Sequence, residues 1–191
     1  MKIDLSLPID RELWNKMIIK TSTDENFQKL GHIGTHFDLM DKKFDIENTI
    51  RQGKILDVSN IKNREIEIED IKEKGINKGD FIIFYTGHMK EKNYRTPEYF
   101  KNHPVLSLKL VDYLIKKQIN LIGIDAVGIR KGKEHAKIDQ YCANHNVFIV
   151  ENLNNLDLVL EKSKDNPFTV YTFPLNLEGT TGLPCRIIAK V

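Results

Sequence analysis

Two short, almost continuously apolar stretches separated by an amphipathic stretch constrain the fold of this chain most strongly. The first is Asp80–Tyr85 and the second is Leu121–Asp125. Strands that are buried on both faces have this composition. Between them, the spacing of apolar residues over Leu106–Gln118 predicts a helix with one apolar face. Because strands and helices interleave, the sequence predicts an α/β fold with a mixed central sheet.

The other predicted elements continue this alternation. Further strands are predicted at Lys2–Leu5, Lys54–Val58, Val147–Val150, Phe168–Phe173 and Arg186–Val191, and further helices at Glu134–Asn146 and Leu153–Glu161. The segment Ile66–Ile71 alternates apolar and acidic residues, which fits either an exposed edge strand or the start of a helix. The chain has 191 residues and shows no repeat or linker-like segment, so we predict one domain over residues 1–191.

The charge balance argues against two classes of partner. The chain has 29 Lys and Arg residues and 27 Asp and Glu residues, a formal net charge of +2. Nucleic acids and membrane surfaces select clustered excess basic residues, so we expect neither partner. The first ten residues lack the apolar core of an export signal. Cys142 and Cys185 form no CxxC pair, so we expect free thiols in a cytoplasmic protein.

Metal-ligating residue types are concentrated in Gly31–Asp38, where His32, His36 and Asp38 lie within seven residues. Imidazole and carboxylate groups suit zinc, manganese or iron. Gly34 and its β-branched neighbours disfavour a helix, so we predict an extended strand that presents all three ligands on one face. Gly34 would then leave room for an ion between the two rings. The alternative is a half-exposed strand with ordinary polar residues.

The same stretch resembles the signature of the cyclase family, which includes bacterial kynurenine formamidase and isatin hydrolase. That signature is H-x-G-T-H-x-D-x-P-x-H, and the chain matches it at His32, Gly34, Thr35, His36 and Asp38. Further similarities follow in family order at Asp4-Leu5-Ser6, Gly79-Asp80, Tyr85-Thr86-Gly87, Gly123-Ile124-Asp125, Glu151-Asn152-Leu153, Phe173-Pro174-Leu175 and Gly182-Leu183-Pro184-Cys185-Arg186. The resemblance therefore extends over nearly the whole chain.

The resemblance implies a swivelling β/β/α fold and a homodimer or higher homo-oligomer. It implies hydrolysis of an amide-like bond, in a formamide or a cyclic amide, by a metal-activated water acting on a small-molecule substrate. His32, His36 and Asp38 would bind a divalent metal, Zn or Mn, and Glu151 would be a further ligand that can join or bridge a second ion. Tryptophan catabolism is one context that the kynurenine formamidases suggest.

The chain departs from the family at two important positions. The last signature histidine falls on Lys42, and the family histidine twelve residues before the late glutamate falls on Asp139. An ammonium group has no lone pair for a metal, so we predict that Lys42 stabilises an oxyanion or holds a substrate carboxylate. Asp139 or Glu151 is predicted to accept the proton of the attacking water and return it to the leaving nitrogen.

Two further observations bear on proton transfer and on the missing imidazole. The Ser and Asp that often follow the Gly-Ile-Asp strand in the family fall on Gly128 and Arg130. His135 lies one helical turn before Asp139 and could supply the imidazole, but we favour a solvent-facing helix histidine beside Glu134.

The remaining candidates are less specific. His88 follows a strand end and is a candidate pocket residue, whereas His103 and His145 are interpreted as surface residues. A cysteine-dependent hydrolase using Cys142 with His145 fits poorly, because no segment supplies an oxyanion hole. The departures from the family pattern also leave open a protein of another class, which binds a small ligand or serves as an assembly subunit without turnover.

Overall fold

The computed structural model describes residues 1–21, 24–71, 75–94 and 96–191, without the side chains of residues 20, 21, 24 and 25. The strands are β1 (Lys2–Asp4), β2 (His36–Asp38), β3 (Ile50–Asp57), β4 (Phe81–Tyr85), β5 (Leu121–Ile124), β6 (Phe148–Glu151), β7 (Phe168–Pro174) and β8 (Gly182–Lys190). The α-helices are α1 (Arg11–Thr21), α2 (His88–Glu91), α3 (Leu108–Lys116), α4 (His135–Asn144) and α5 (Leu156–Ser163). Short 3-10 helices occupy Asp24–Gly31, Ile46–Thr49, Ile68–Asp70 and Gly132–Glu134.

The strands form one mixed sheet in the order β1-β8-β2-β6-β5-β4-β3-β7, and β7 also pairs with β8. This extra pairing closes β2 to β8 into a barrel-like ring and leaves β1 outside it, paired with β8. The strands β3, β4, β5 and β6 are parallel to one another, whereas β2, β7 and β8 are antiparallel to their neighbours. The predicted α/β class with a mixed sheet is confirmed.

The apolar strands contribute to two separate cores. In β4, Phe81 and Ile83 pack in one cluster, whereas Ile82 and Phe84 pack in the other. The second cluster also contains the apolar face of α3, including Leu114. Because alternate side chains of a strand point to opposite faces, two apolar layers require a strand without polar residues. This is the physical reason for the continuous apolar runs in the sequence.

All seven predicted strands and all three predicted helices are present, with ends that differ by a few residues. The helix α1 was not predicted. The segment 66–71 contains a 3-10 helix at Ile68–Asp70, and Ile66 forms an isolated bridge with Leu106 and is completely buried. Among the helices described, none is both long and apolar enough to cross a lipid bilayer.

The prediction of one extended strand through His32 and Asp38 is wrong, because β2 contains only His36–Asp38. Gly34 has a φ of +59°, in the left-handed region, and bends the chain before the strand. A Cβ atom on Gly34 would lie 2.9 Å from Cδ1 of Ile9. The glycine therefore allows a bend and a close contact, rather than leaving room for an ion.

Candidate metal centre

The strand β2 carries two of the predicted ligands on one face. His36 and Asp38 alternate with Phe37, and all three side chains are almost completely buried. Phe37 enters the apolar core, so His36 and Asp38 face the other way. Across the antiparallel pairing with β6, His36 lies opposite Glu151. The register of the sheet therefore places the predicted late carboxylate beside a predicted histidine ligand.

His32 reaches the same place from the bend that precedes β2. Its Nδ1 atom lies 3.0 Å from Oδ1 of Asp38 and 3.2 Å from Nε2 of His36. Nε2 of His36 is 3.5 Å from the same oxygen of Asp38. The three predicted ligands do converge, although a bend and a short strand bring them together.

Hydrogen bonds on the far sides of both rings determine which nitrogens carry protons. Nδ1 of His36 donates to the carbonyl oxygen of Gly34 at 2.9 Å, so Nε2 faces the cluster and is the atom that would bind a cation. The hydroxyl of Thr181 donates to the carbonyl oxygen of Gln28 and therefore accepts from Nε2 of His32 at 2.8 Å. Nδ1 of His32 then faces the cluster and is the atom that would bind a cation. Second-sphere hydrogen bonds of this kind orient the ligands of metal sites.

A second set of groups adjoins the first. Nε2 of His135 lies 2.8 Å from Oε1 of Glu151 and 3.2 Å from Oδ2 of Asp139. The other carboxylate oxygen of Glu151 is 3.5 Å from Nε2 of His36, so Glu151 links the two sets. The favoured interpretation of His135 as a solvent-facing residue is therefore wrong. The signal that could have identified it was the one-turn spacing to Asp139, which puts both residues on one face of α4.

Burial and charge redistribute the protons of this cluster. Burial alone would lower the pKa of His36, but attraction to Asp38 and Glu151 outweighs it and raises that pKa to about 9. Burial would raise the pKa of Asp38, yet interactions with His36 and His32 hold it far below its ordinary value. Burial, with repulsion from Asp38, raises the pKa of Glu151 well above its ordinary value and that of Asp139 to about 9. Without a bound cation, Asp139 and Glu151 therefore hold protons near neutral pH, whereas Asp38 stays ionised beside a protonated His36. A bound cation would displace these protons.

The side chains fit a divalent cation. The buried Oδ2 atom of Asp38 and Oδ1 atom of Asp139 have no hydrogen-bond partner within the described part of the chain. Two groups of residues could each hold an ion, because the ligand atoms within each group lie within 4.8 Å of one another. The first group is His32, His36 and Asp38, and the second group is Asp38, His135 and Glu151. Asp38 belongs to both groups and would be a ligand common to them. Mixed imidazole and carboxylate ligands suit zinc and manganese.

Lys42 lies in the loop after β2, where its ammonium is 3.2 Å from Oδ1 of Asp41. That oxygen also accepts a hydrogen bond of 2.6 Å from Gln140. Lys42 therefore contacts an exposed aspartate in its own loop rather than a residue of either ligand group. Its role toward an oxyanion or a substrate carboxylate stays a prediction.

The other histidines and Cys142 have distinct surroundings. His88 lines a cleft of about 720 Å³, as expected, and its Nε2 atom donates to the carbonyl oxygen of Tyr99 at 2.7 Å. His103 lines the same cleft but is only 3% exposed, so its interpretation as a surface residue is wrong. His145 is exposed, as expected. Cys142 is fully buried in the core, and burial raises its pKa to about 12, which disfavours a nucleophilic thiolate.

The burial of His103 predicts a loss of stability in acid. Burial, with lesser contributions from Lys131 and His88, lowers the pKa of His103 to about 4, against 6.5 for the free side chain. Between these two pH values the unfolded chain binds the extra proton, so stability falls as the pH falls, by at most about 3 kcal/mol. We expect His103→Gln to flatten the pH dependence of the free energy of unfolding, measured by urea denaturation from neutral pH to about pH 4.5.

The matched control is His145→Gln, because the His145 ring is exposed at the end of α4. This variant should keep the pH dependence of the parent protein. If His103→Gln showed the parent's slope as well, His103 would not be a source of acid sensitivity.

Solved structures of three proteins share this fold. The chain matches a potential metal-dependent hydrolase with cyclase activity at a TM-score of 0.75 and 22% identity, over 99% of this chain and 96% of that one. It matches a predicted metal-dependent hydrolase from Bacillus stearothermophilus at a TM-score of 0.72 and 22% identity, over 99% of this chain and 97% of that one. It matches an isatin hydrolase bound to the product analogue thioisatinate at a TM-score of 0.70 and 22% identity, over 84% of this chain and 72% of that one. The likeness to these proteins confirms the predicted fold.

Sequence comparison gives the family. An uncharacterized protein of Methanocaldococcus jannaschii is 31% identical over 161 residues, which cover 83% of this chain and 77% of that protein. Residues 3–131, which include the segment from His32 to Asp38, match the model of the Cyclase family. The chain therefore belongs to the cyclase family, as its histidine-aspartate motif predicted.

Proposed function

We propose that this protein is a metal-dependent hydrolase that cleaves an amide-like C–N bond, in a formamide or a cyclic amide of a small-molecule substrate. The observation that carries the proposal is the convergence of two imidazole nitrogens on the buried carboxylate of Asp38, beside His135 and Glu151. Membership of the cyclase family supports it. So does the similarity to structures described as metal-dependent hydrolases, one of them an isatin hydrolase.

The first group would hold one ion, and the second group would hold another that shares Asp38. When bound, zinc or manganese lowers the pKa of a water from near 16 toward about 7 and polarises a carbonyl group. The protein's part is to keep both histidine lone pairs directed inward, through the hydrogen bonds to Gly34 and Thr181. The burial of Asp38 strengthens its interaction with a cation, because little water competes for it.

We assign proton transfer to Asp139. Its Oδ1 atom is buried without a partner, and its Oδ2 atom is held by His135. Oδ1 of Asp139 would accept the proton of the attacking water, and Asp139 would then return it to the leaving nitrogen of the substrate. Glu151, the alternative acceptor, already contacts His135 and His36 through its two oxygens.

Metal content tests the proposal directly. We expect His36→Ala to lose the ion of the first group, with an affinity loss of more than about 100-fold. Outer-shell partners alone are worth 10–100-fold, and His36 is a direct ligand in this proposal. Metal analysis of chelator-treated protein after reloading with Mn²⁺ or Zn²⁺ measures this. His145→Ala is the control, since this exposed histidine should leave the metal content unchanged. Equal metal content in His36→Ala and the parent protein would rule the site out.

Turnover separates hydrolysis from binding. N-formylkynurenine, isatin and simple cyclic amides are the first substrates to screen, with added Mn²⁺ or Zn²⁺. Conversion of any of them by the parent protein but not by His36→Ala supports the hydrolase. A metal-loaded protein that binds one of them tightly without converting it would instead support a ligand-binding member of the family. The homo-oligomeric state and the cytoplasmic location stay predictions.

A further inference from the structure

We propose that Gly128 is a positioning residue of the metal centre, because the absence of a side chain at this position lets His135 reach Glu151. The proposal rests on the function proposed above, in which His135 is a ligand of the second group. It adds a residue that has no ligating atom and lies in a separate loop.

The space beside Gly128 is filled by the two ligands themselves. A Cβ atom on Gly128 would lie 2.8 Å from both Cε1 and Nε2 of His135 and 3.0 Å from Oε1 of Glu151. Two of these atoms, Nε2 of His135 and Oε1 of Glu151, lie 2.8 Å apart in the second group. Any side chain at position 128 would therefore displace the imidazole nitrogen or the carboxylate oxygen that would face the ion.

The loop between Gly128 and His135 is held in place, so it cannot easily move to relieve such a collision. Arg130 is buried, and its guanidinium donates to the carbonyl oxygen of Leu106 and to Glu65, both at 2.7 Å. It also donates to Glu134, the residue before His135, at 2.5 Å. Because Arg130 ties this loop to the start of α4, the position of the His135 backbone is fixed relative to Gly128.

This geometry connects departures from the family pattern that look unrelated in the sequence. Asp139 stands where the family has a histidine, and His135 supplies an imidazole from one helical turn earlier. An imidazole that enters from this position needs the space above Glu151 that a residue larger than glycine at 128 would take. Gly128 thus provides the space, Arg130 anchors the loop, and His135 supplies the ligand.

The test compares metal binding in four proteins: the parent, Gly128→Ala, His135→Ala and Gly132→Ala. Gly132 is the matched control, because it has a left-handed φ of +56° in the same loop, and no atom in the described part of the chain lies within 4 Å of an added Cβ. In Mn²⁺ titrations followed by calorimetry, we expect the second of two equivalents to weaken at least about tenfold in Gly128→Ala and His135→Ala. Gly132→Ala should bind like the parent protein.

A double-mutant cycle on the metal-free protein separates the collision from backbone strain, since Gly128 itself has a φ of +96°. Strain at φ +96° is present with either residue at position 135, whereas the collision requires the His135 ring. We expect Gly128→Ala to lower the melting temperature by about 4 °C or more beyond its effect in the His135→Ala background. If Gly128→Ala does not fold but the double variant does, the proposal is supported in the same way.

The outcomes distinguish this proposal from the proposed function. If the parent protein binds no divalent metal, the function fails, while the metal-free cycle still tests the contact of Gly128 with His135. If the parent binds two equivalents and Gly128→Ala binds both with unchanged affinity, the positioning role is overturned and the function stands. Equal destabilisation in both backgrounds, or equal failure to fold, would also overturn it.

Discussion

The substitution Asp38→Asn is expected to abolish tight metal binding at both ligand groups, a larger effect than the loss of any one histidine. Asp38 is the residue that the first and second groups share, and its side chain is only 2% exposed. Asparagine keeps the shape but removes the charge that holds a cation and that raises the pKa of His36. We expect both equivalents of Mn²⁺ or Zn²⁺ to weaken by more than about 100-fold, with hydrolysis lost in parallel.

Asp157→Asn is the matched control for this change. Asp157 lies on α5 and pairs with Lys90 at the surface, at 2.7 Å. It should bind metal and turn over substrate like the parent protein, and its unfolding free energy should change by less than about 1 kcal/mol. Calorimetric titration of Asp38→Asn that still showed two equivalents at parental affinity would contradict a shared carboxylate.

Gly31→Ala should be the most destabilising single methyl group that can be added near the site. A Cβ atom on Gly31 would lie 1.6 Å from the carbonyl oxygen of Gly182 and 2.2 Å from its carbonyl carbon. Because the obstacle is backbone, the segment before His32 must move away from β8. We expect a loss of about 3 kcal/mol or more in the free energy of unfolding, measured by urea denaturation.

The same substitution should also weaken metal binding by the first group, because His32 directly follows Gly31. The His32 ring packs closely against Gly182, where a Cβ atom would lie 3.0 Å from it, so moving this segment away from Gly182 would displace the ring. Gly75→Ala is the comparison, because it adds a methyl group at a left-handed φ of +60° with no atom of the described residues within 4 Å. That change should cost only about 1–2 kcal/mol and leave metal binding unaltered. Parental stability in Gly31→Ala would contradict the close approach of the two backbones.

The fold was predictable where local composition decides it. The β4 and β5 strands are apolar on both faces because each packs between two hydrophobic cores. A continuous apolar run of a few residues is therefore enough to predict them. The helix α1 gave no such signal, because Trp14 and Ile19 on it are 47% and 75% exposed and no apolar face is required. The pairing of β7 with β8 that closes the ring joins strands whose sequences do not specify a partner.

The candidate site divides in the same way. His32, His36 and Asp38 lie within one short motif, so their spacing alone predicted that they would meet. His135 was not predicted to face inward, because its direction depends on Gly128 and on a carboxylate in β6. The one-turn spacing to Asp139 was a local signal, but the sequence does not show that Gly128 leaves the space that the His135 ring occupies.

The position of β8 has a consequence for the order in which the molecule can assemble. β2 is hydrogen-bonded between β6 and β8, so both of its neighbours are synthesised more than 100 residues after it. The bond from His32 to Thr181 spans 149 positions of the chain. A nascent polypeptide therefore exposes its His-Asp motif early but cannot orient the His32 imidazole until the segment from Thr181 through β8 has left the ribosome. Ion capture is thereby coupled to the synthesis of β8, and such distant contacts are also expected to make folding slow.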